Sequence, residues 1–118
     1  MQKIALLTLT LRAIAALSAE RFVTVDGNVP TAGGHAIGVT TTGAADGDLV
    51  AADIVGTTVV EAGGVIASGQ GVECGADGKA VALATGMALG TALSAATADG
   101  DRIEVLLTPI APIAAVSP

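Results

Sequence analysis

The chain carries an echo of itself. Gly34, Ala36, Ile37 and Gly38, followed by Asp46-Gly47-Asp48, return as Gly86, Ala88, Leu89 and Gly90, followed by Asp99-Gly100-Asp101. Upstream, Val23 leading to Asp26-Gly27 is matched by Val72 leading to Asp77-Gly78. A spacing of about fifty residues marks two related supersecondary units. The repeated residues restrict what those units can be. Asp-Gly pairs belong to tight turns, where the aspartate caps neighbouring backbone amides and the glycine takes a positive φ. Two turn-punctuated copies therefore point to a duplicated β structure, and what is duplicated is architecture rather than reactive chemistry.

Hydrophobic alternation supplies the strands between the turns. Leu7, Leu9 and Leu11 alternate with Thr8, Thr10 and Arg12, the period-two pattern of a strand with one buried face. Residues 13–20, rich in Ala and Leu, predict at most a short helix. Phe22 to Val25 reads as strand up to Asp26-Gly27, and Asn28 to Gly34 as loop. Ala36 to Thr42 predicts a strand whose interior Gly38, like Gly90 in the second unit, marks a bulge or a close backbone approach. Leu49 to Val55 and Arg102 to Leu107 follow the two Asp-Gly-Asp turns, with Val50, Ala52 and Ile54 matching the inward places of Ile103, Val105 and Leu107. Thr57 to Val60 extends the β-rich middle until Glu61-Ala62-Gly63-Gly64 breaks it. Val65 to Ala67, Gly71 to Cys74 and Lys79 to Leu83 complete a set of short strands. The fold class is all-β, a small barrel or sandwich with an internal pseudo-repeat. Residues 1–108 form one β-rich domain, with 1–11 as an N-terminal arm. Pro109, Pro112 and Pro118 make 109–118 an extended tail.

Composition decides how such a domain can be stabilised. Of 118 residues 52% are apolar, yet Phe22 is the only aromatic, so the core must be built from Val, Leu, Ile and Ala. Sixteen glycines raise the entropic cost of ordering the backbone, so an oligomer or a host surface is expected to supply further burial. The net charge of −6, with five scattered Lys and Arg and no aromatic platforms, excludes direct nucleic-acid binding. The apolar residues are interrupted every few positions, and no run approaches the roughly 18 residues of a spanning helix. Lys3 and the apolar residues after it imitate a secretory signal, but Thr8, Thr10 and Arg12 interrupt them. Cys74 is the only cysteine, which rules out an intrachain disulfide and fits a reducing compartment.

Searches for reactive constellations fail for stated reasons. Gly78-Lys79 lacks the phosphate-loop glycine five residues earlier, where Glu73 stands, and the following hydroxyl, where Ala80 stands. His35 and Cys74 are each single and share no local signature. The two Asp-Gly-Asp clusters lack the further oxygen ligands and distal Glu of a calcium loop, and their residue types are those of β-turns. No catalytic, cofactor-binding or metal residues are expected.

Arg21-Phe22-Val23 leading to Asp26-Gly27, the Gly-x-Ala-[Ile/Leu]-Gly blocks at Gly34 and Gly86, the Asp-Gly-Asp corners and Val59-Val60-Glu61-Ala62-Gly63-Gly64 occur in an order that resembles the capsid-cement, or head-decoration, proteins of tailed bacteriophages and prophages. The resemblance covers about Leu7 to Leu107. It implies a non-enzymatic virion protein, made in the host cytoplasm, that binds the outside of an icosahedral head and bridges major capsid subunits. It also implies self-association, a trimer in preference to a dimer, with no cofactor, nucleic acid or membrane involved. The N-terminal segment, apolar and extended, is the expected capsid contact through Leu7, Leu9 and Leu11, by strand addition at an edge. Three alternatives are a small ligand- or sugar-binding β module, which would need an exposed aromatic platform, an enzyme using His35 or the aspartates, which would lose activity on a single substitution with folding intact, and a self-assembling shell or fibre protein.

Overall fold

The computed structural model describes residues 3–108. Eight strands carry the fold: β1 (Ala5–Arg12), β2 (Phe22–Val23), β3 (Gly38–Thr40), β4 (Leu49–Glu61), β5 (Gly71–Cys74), β6 (Ala80–Ala82), β7 (Gly90–Ala92) and β8 (Arg102–Leu107). All pairings between strands are antiparallel. They run in the order β2-β3-β4-β8-β7-β5-β6, with β1 added alongside β4. A parallel bridge between Ala62 and Ala80 brings the end of β4 back to β6, so the second half of the sheet nearly closes into a barrel.

The thirteen-residue β4 is the hinge of the duplication. Its first half pairs with β1 and β3, and its second half pairs with β8. Leu11 lies opposite Val50 as Val60 lies opposite Ile103. The chain is therefore β1–β2–β3–first half of β4, then second half of β4–β5–β6–β7–β8. Hydrogen bonds outside the ladders repeat with it. Leu17 and Ala44 exchange amide-to-carbonyl bonds of 2.8 and 2.9 Å, as Ile66 and Ala96 do at 3.0 and 2.9 Å. The Gly47 amide donates to Ala13 O at 2.8 Å, and the Gly100 amide to Ala62 O at 2.8 Å. The Ile37 amide donates to Val23 O and the Leu89 amide to Val72 O.

Gly38 and Gly90 are both close-approach positions. A Cβ on Gly38 would collide with the Asp53 carbonyl oxygen, and one on Gly90 with that of Leu106. The sequence reading of these two glycines thus holds in both units.

Burial is less evenly shared. The larger apolar cluster gathers Val60, Ile66, Val72, Leu89, Ile103 and Val105 of the second unit, with Phe22 and Val39 from the first. The smaller one holds only Ala13, Leu17, Val23, Val50 and Ala52.

Several local expectations are corrected. No helix forms over 13–20, because Ala13 and Leu17 commit their backbone groups to Asp48, Gly47 and Ala44 across the chain, and this pairing outweighs helix propensity. The strand expected over 22–25 stops at Val23, since the Thr24 amide closes a turn onto Asn28 O. The strand expected over 36–42 is confined to Gly38–Thr40, and that over 79–83 to Ala80–Ala82. Val65 to Ala67 supplies only the Ile66 bridge. Strand β4 is continuous across 49–61, including Glu61. The Pro-rich stretch 109–118 lies outside the described residues.

Candidate docking surface

The strand β1 is unlike every other strand in the molecule. Seven of its eight residues are exposed, and Leu11 alone is half-buried. Leu9 and Leu11 lie opposite Ala52 and Val50, whose side chains point into the smaller cluster, and Leu11 packs against that cluster. Leu7 and Leu9 lie beyond its reach and remain 43% and 40% exposed, with Leu6 at 75%. Adjacent Ile4 is also exposed. Pairing with β4 occupies only one edge of β1, and its other edge pairs with no strand among the described residues. A free edge flanked by uncovered aliphatic side chains is the arrangement that strand addition requires.

A buried aspartate fixes β1 in place. Asp53, on β4, is 1% exposed and carries three partners. Thr8 Oγ1 donates to Oδ1 at 2.9 Å, Thr58 Oγ1 donates to Oδ2 at 2.8 Å, and Lys3 Nζ sits 2.9 Å from Oδ2. Buried carboxylates need such compensation, so these bonds both satisfy Asp53 and pin β1, through Thr8 within the strand and Lys3 just before it. Near the other end of the crossing, Gly56 adopts φ +109°, and a Cβ there would strike the Ile4 carbonyl oxygen. Neither residue belongs to a motif of the sequence. The signal available was an aspartate inside an otherwise apolar strand.

The other candidate residues fall into structural settings. Cys74 is buried, its thiol donates to Thr31 O at 3.2 Å, and burial pushes its pKa above the ordinary thiol value. His35 lines a small, mainly apolar cavity of about 100 Å³ with Phe22, Ile37, Ile54 and Leu89, while Cys74 is not among the lining residues. Phe22 is 2% exposed and offers no surface platform for a sugar. Asp101 Oδ2 accepts from the Thr97 amide at 2.8 Å, the Thr97 hydroxyl at 3.0 Å and the Ala98 amide at 3.2 Å. These bonds, the Thr97 amide first, hold its carboxyl below the usual range. Asp48 likewise accepts from the Ala45 amide, so both corners use aspartate as a turn cap. Lys79, beside Gly78, is engaged with Asp99 at 3.0 Å and Glu61 at 3.5 Å. Among the described residues no group of three His, Cys, Asp or Glu side chains is arranged to hold a metal. No helix among the described residues is long and apolar enough to cross a membrane.

Comparison with known proteins places this architecture. The family model for phage cement proteins matches residues 1–107. The crystal structure of the N-terminal base of the head fibre protein gp8.5 of bacteriophage phi29 superimposes with a TM-score of 0.71 at 22% identity, covering 86% of this chain and 93% of that one. At that identity the likeness is one of fold. No curated protein sequence matches the chain significantly.

Proposed function

Because the chain belongs to the phage cement protein family, and so to a class of phage head structural proteins, we propose that it binds the outer surface of the capsid and stabilises the shell by bridging major capsid subunits, without catalysing a reaction. The observation that carries this reading is β1. Leu6, Leu7 and Leu9 lie on a strand paired with β4 and tied to Asp53, and yet are left in water. Fully burying a leucine is worth roughly 1.5–3 kcal/mol, so covering three that are 40–75% exposed would contribute a few kcal/mol per site. Such a site is weak alone and effective when many copies act on one shell. The protein would act by mass action: contacts available only on the assembled head shift the equilibrium away from dissociation.

The main contact is β1, through the exposed Leu6, Leu7 and Leu9 and the uncovered part of Leu11, with a capsid strand added along its free edge. Self-association, as a trimer, would multiply these contacts at positions of local symmetry. The acidic surface, with eleven Asp and Glu against five Lys and Arg, suits a partner surface of opposite sign.

The test uses purified undecorated heads and the full chain. Wild-type protein is expected to saturate the heads and raise their resistance to heat or chelator, and Leu7→Ser with Leu9→Ser is expected to lower occupancy at least tenfold while leaving the free protein folded. Unchanged occupancy for that variant would remove β1 from the interface. Sedimentation of the free protein decides the oligomeric state, a trimer being expected. Large assemblies formed by the protein alone would instead favour a self-assembling fibre or shell.

A further inference from the structure

The two Asp-Gly-Asp corners share the bond from the Gly47 amide to Ala13 O and from the Gly100 amide to Ala62 O. The neighbouring Asp-Gly turns are seated differently, Gly27 O accepting from the Ile14 amide and Gly78 O from the Phe22 amide, and the side chains differ. In the second unit the corner is built around Glu61 and Ala62, with Asp77-Gly78 on one flank and Asp99-Gly100-Asp101 on the other. Lys79 reaches into it, with Nζ 3.0 Å from Asp99, 3.5 Å from Glu61 and 3.8 Å from Asp77. Arg21 adds a contact to Glu61 at 3.3 Å, and Arg102 bonds Glu20 at 2.6 Å. Glu61, Asp77 and Asp99 are thus ion-paired within the molecule.

In the first unit the matching corner surrounds Arg12 and Ala13. The Gly47 amide donates to Ala13 O, the Ala13 amide to Asp48 O, the Ile14 amide to Gly27 O, and a Cβ on Gly27 would collide with Arg12 O. Both Asp turns therefore abut the end of β1. The position of Lys79 is held here by Asn28: the Thr24 amide donates to Asn28 O as the Gly75 amide donates to Lys79 O. Asp26, Asp46 and Asp48 are exposed, and no salt bridge reaches them among the described residues. Arg12 spends its guanidinium on Gly47 O at 2.8 Å. Where the second corner has Gly63, Ala76 and Arg102, the first has Ile14, Val25 and Leu49, which are 50%, 64% and 63% exposed.

We infer that this first corner is a second contact surface, separate from the leucine face of β1, and that its occupant is a lysine or arginine flanked by apolar residues on the major capsid protein. The inference rests on the capsid-binding reading and deepens it. Two features carry it. One is the charge complementarity offered by three carboxylates that no salt bridge reaches among the described residues, where in the other unit Lys79 pairs the matching Asp77 and Asp99. The other is three exposed aliphatic side chains, Val25 and Leu49 next to these carboxylates in the chain and Ile14 through its amide bond to Gly27 O. Arg12 lies five residue steps along the extended strand from Leu7, a span of roughly 16 Å. One copy could thus touch two capsid surfaces at once, which bridging needs.

The test measures binding of full-length protein to undecorated expanded heads across a salt series. Asp26→Asn with Asp46→Asn and Asp48→Asn keeps the turn acceptors and removes the charge. Asn28→Lys instead fills the corner from within, as Lys79 fills the other. Both are expected to keep the wild-type melting temperature, to bind about tenfold more weakly at low salt, and to show a flatter salt dependence. If wild-type and Leu7→Ser/Leu9→Ser proteins differ as proposed above but both corner variants bind like wild type with the same salt slope, the corner is no contact and this inference alone fails. If wild-type protein does not bind heads, the capsid reading fails and this inference with it.

Discussion

The first and second units of this protein follow one hydrogen-bonding template and reach opposite outcomes. In the second, the opening strand is the second half of β4, where Thr58 and Val60 are almost wholly buried. In the first, the opening strand is β1, where Leu9 and Leu11 hold the matching positions and Leu9 is 40% exposed. The first unit even lends Phe22, Ala36 and Val39 to the larger cluster. The same asymmetry appears at the acidic corners, one closed by Lys79 and the other open. Backbone duplication thus sets the shape, and side-chain divergence decides which copy is complete by itself. The unfinished copy is the one positioned to be completed by a partner.

The comparison can be broken most sharply at its shared glycines. Gly38→Ala and Gly90→Ala each force a Cβ against a backbone carbonyl, and overpacking of that kind costs about 3 kcal/mol or should prevent folding. Urea titration should show comparable losses; tolerance at one site only would mean that the template is not shared there. Matched core truncations come next. Val60→Ala deletes buried methyl groups and should cost about 2–3 kcal/mol, whereas Leu11→Ala, at the equivalent half-buried place, should cost about 1 kcal/mol or less in the free protein. Equal losses would contradict the claim that the first core is incomplete.

Asp53→Ala should cost about 2 kcal/mol, less than the loss of a fully buried ion pair because Lys3 is partly exposed, and amide exchange should show β1 opening more readily. The smallest effect is expected at Asp101. Its folded-state pKa lies below its ordinary value of 3.8, so its contribution is fully present above that value and fades as pH falls through the lower folded value. Denaturation of Asp101→Asn should therefore lack a small part of the stability lost by wild type below about pH 4.

Much of the fold could be read from the residues. The Asp-Gly turns, the close approach at both interior glycines and the strands that follow the two Asp-Gly-Asp turns, β4 from Leu49 and β8 over Arg102–Leu107, follow from turn chemistry and period-two alternation, which are local signals. The irregular run 13–20 could not be read that way. Its helical composition is overruled by hydrogen bonds to Asp48 and Ala44, some thirty residues distant, and no local pattern encodes them. The leucines of β1 were visible as an alternating face, but alternation implies burial and does not reveal that Leu7 and Leu9 lack a cover. Asp53 shows in the sequence only as a carboxylate inside an apolar strand, and the open corner depends on Asn28 standing where the other unit has Lys79, a match that no local pattern marks. Ile14, Val25 and Leu49 are unremarkable in sequence and acquire meaning beside Gly63, Ala76 and Arg102.

Amide hydrogen exchange of the free and head-bound protein tests the central claim most directly, because it reports each unit separately. Binding should add protection along β1 and at the first corner, around Val25 to Gly27 and Asp46 to Leu49, and leave the corner of Glu61, Asp77 and Asp99 unchanged. New protection confined to the second unit, or none in β1, would contradict the account.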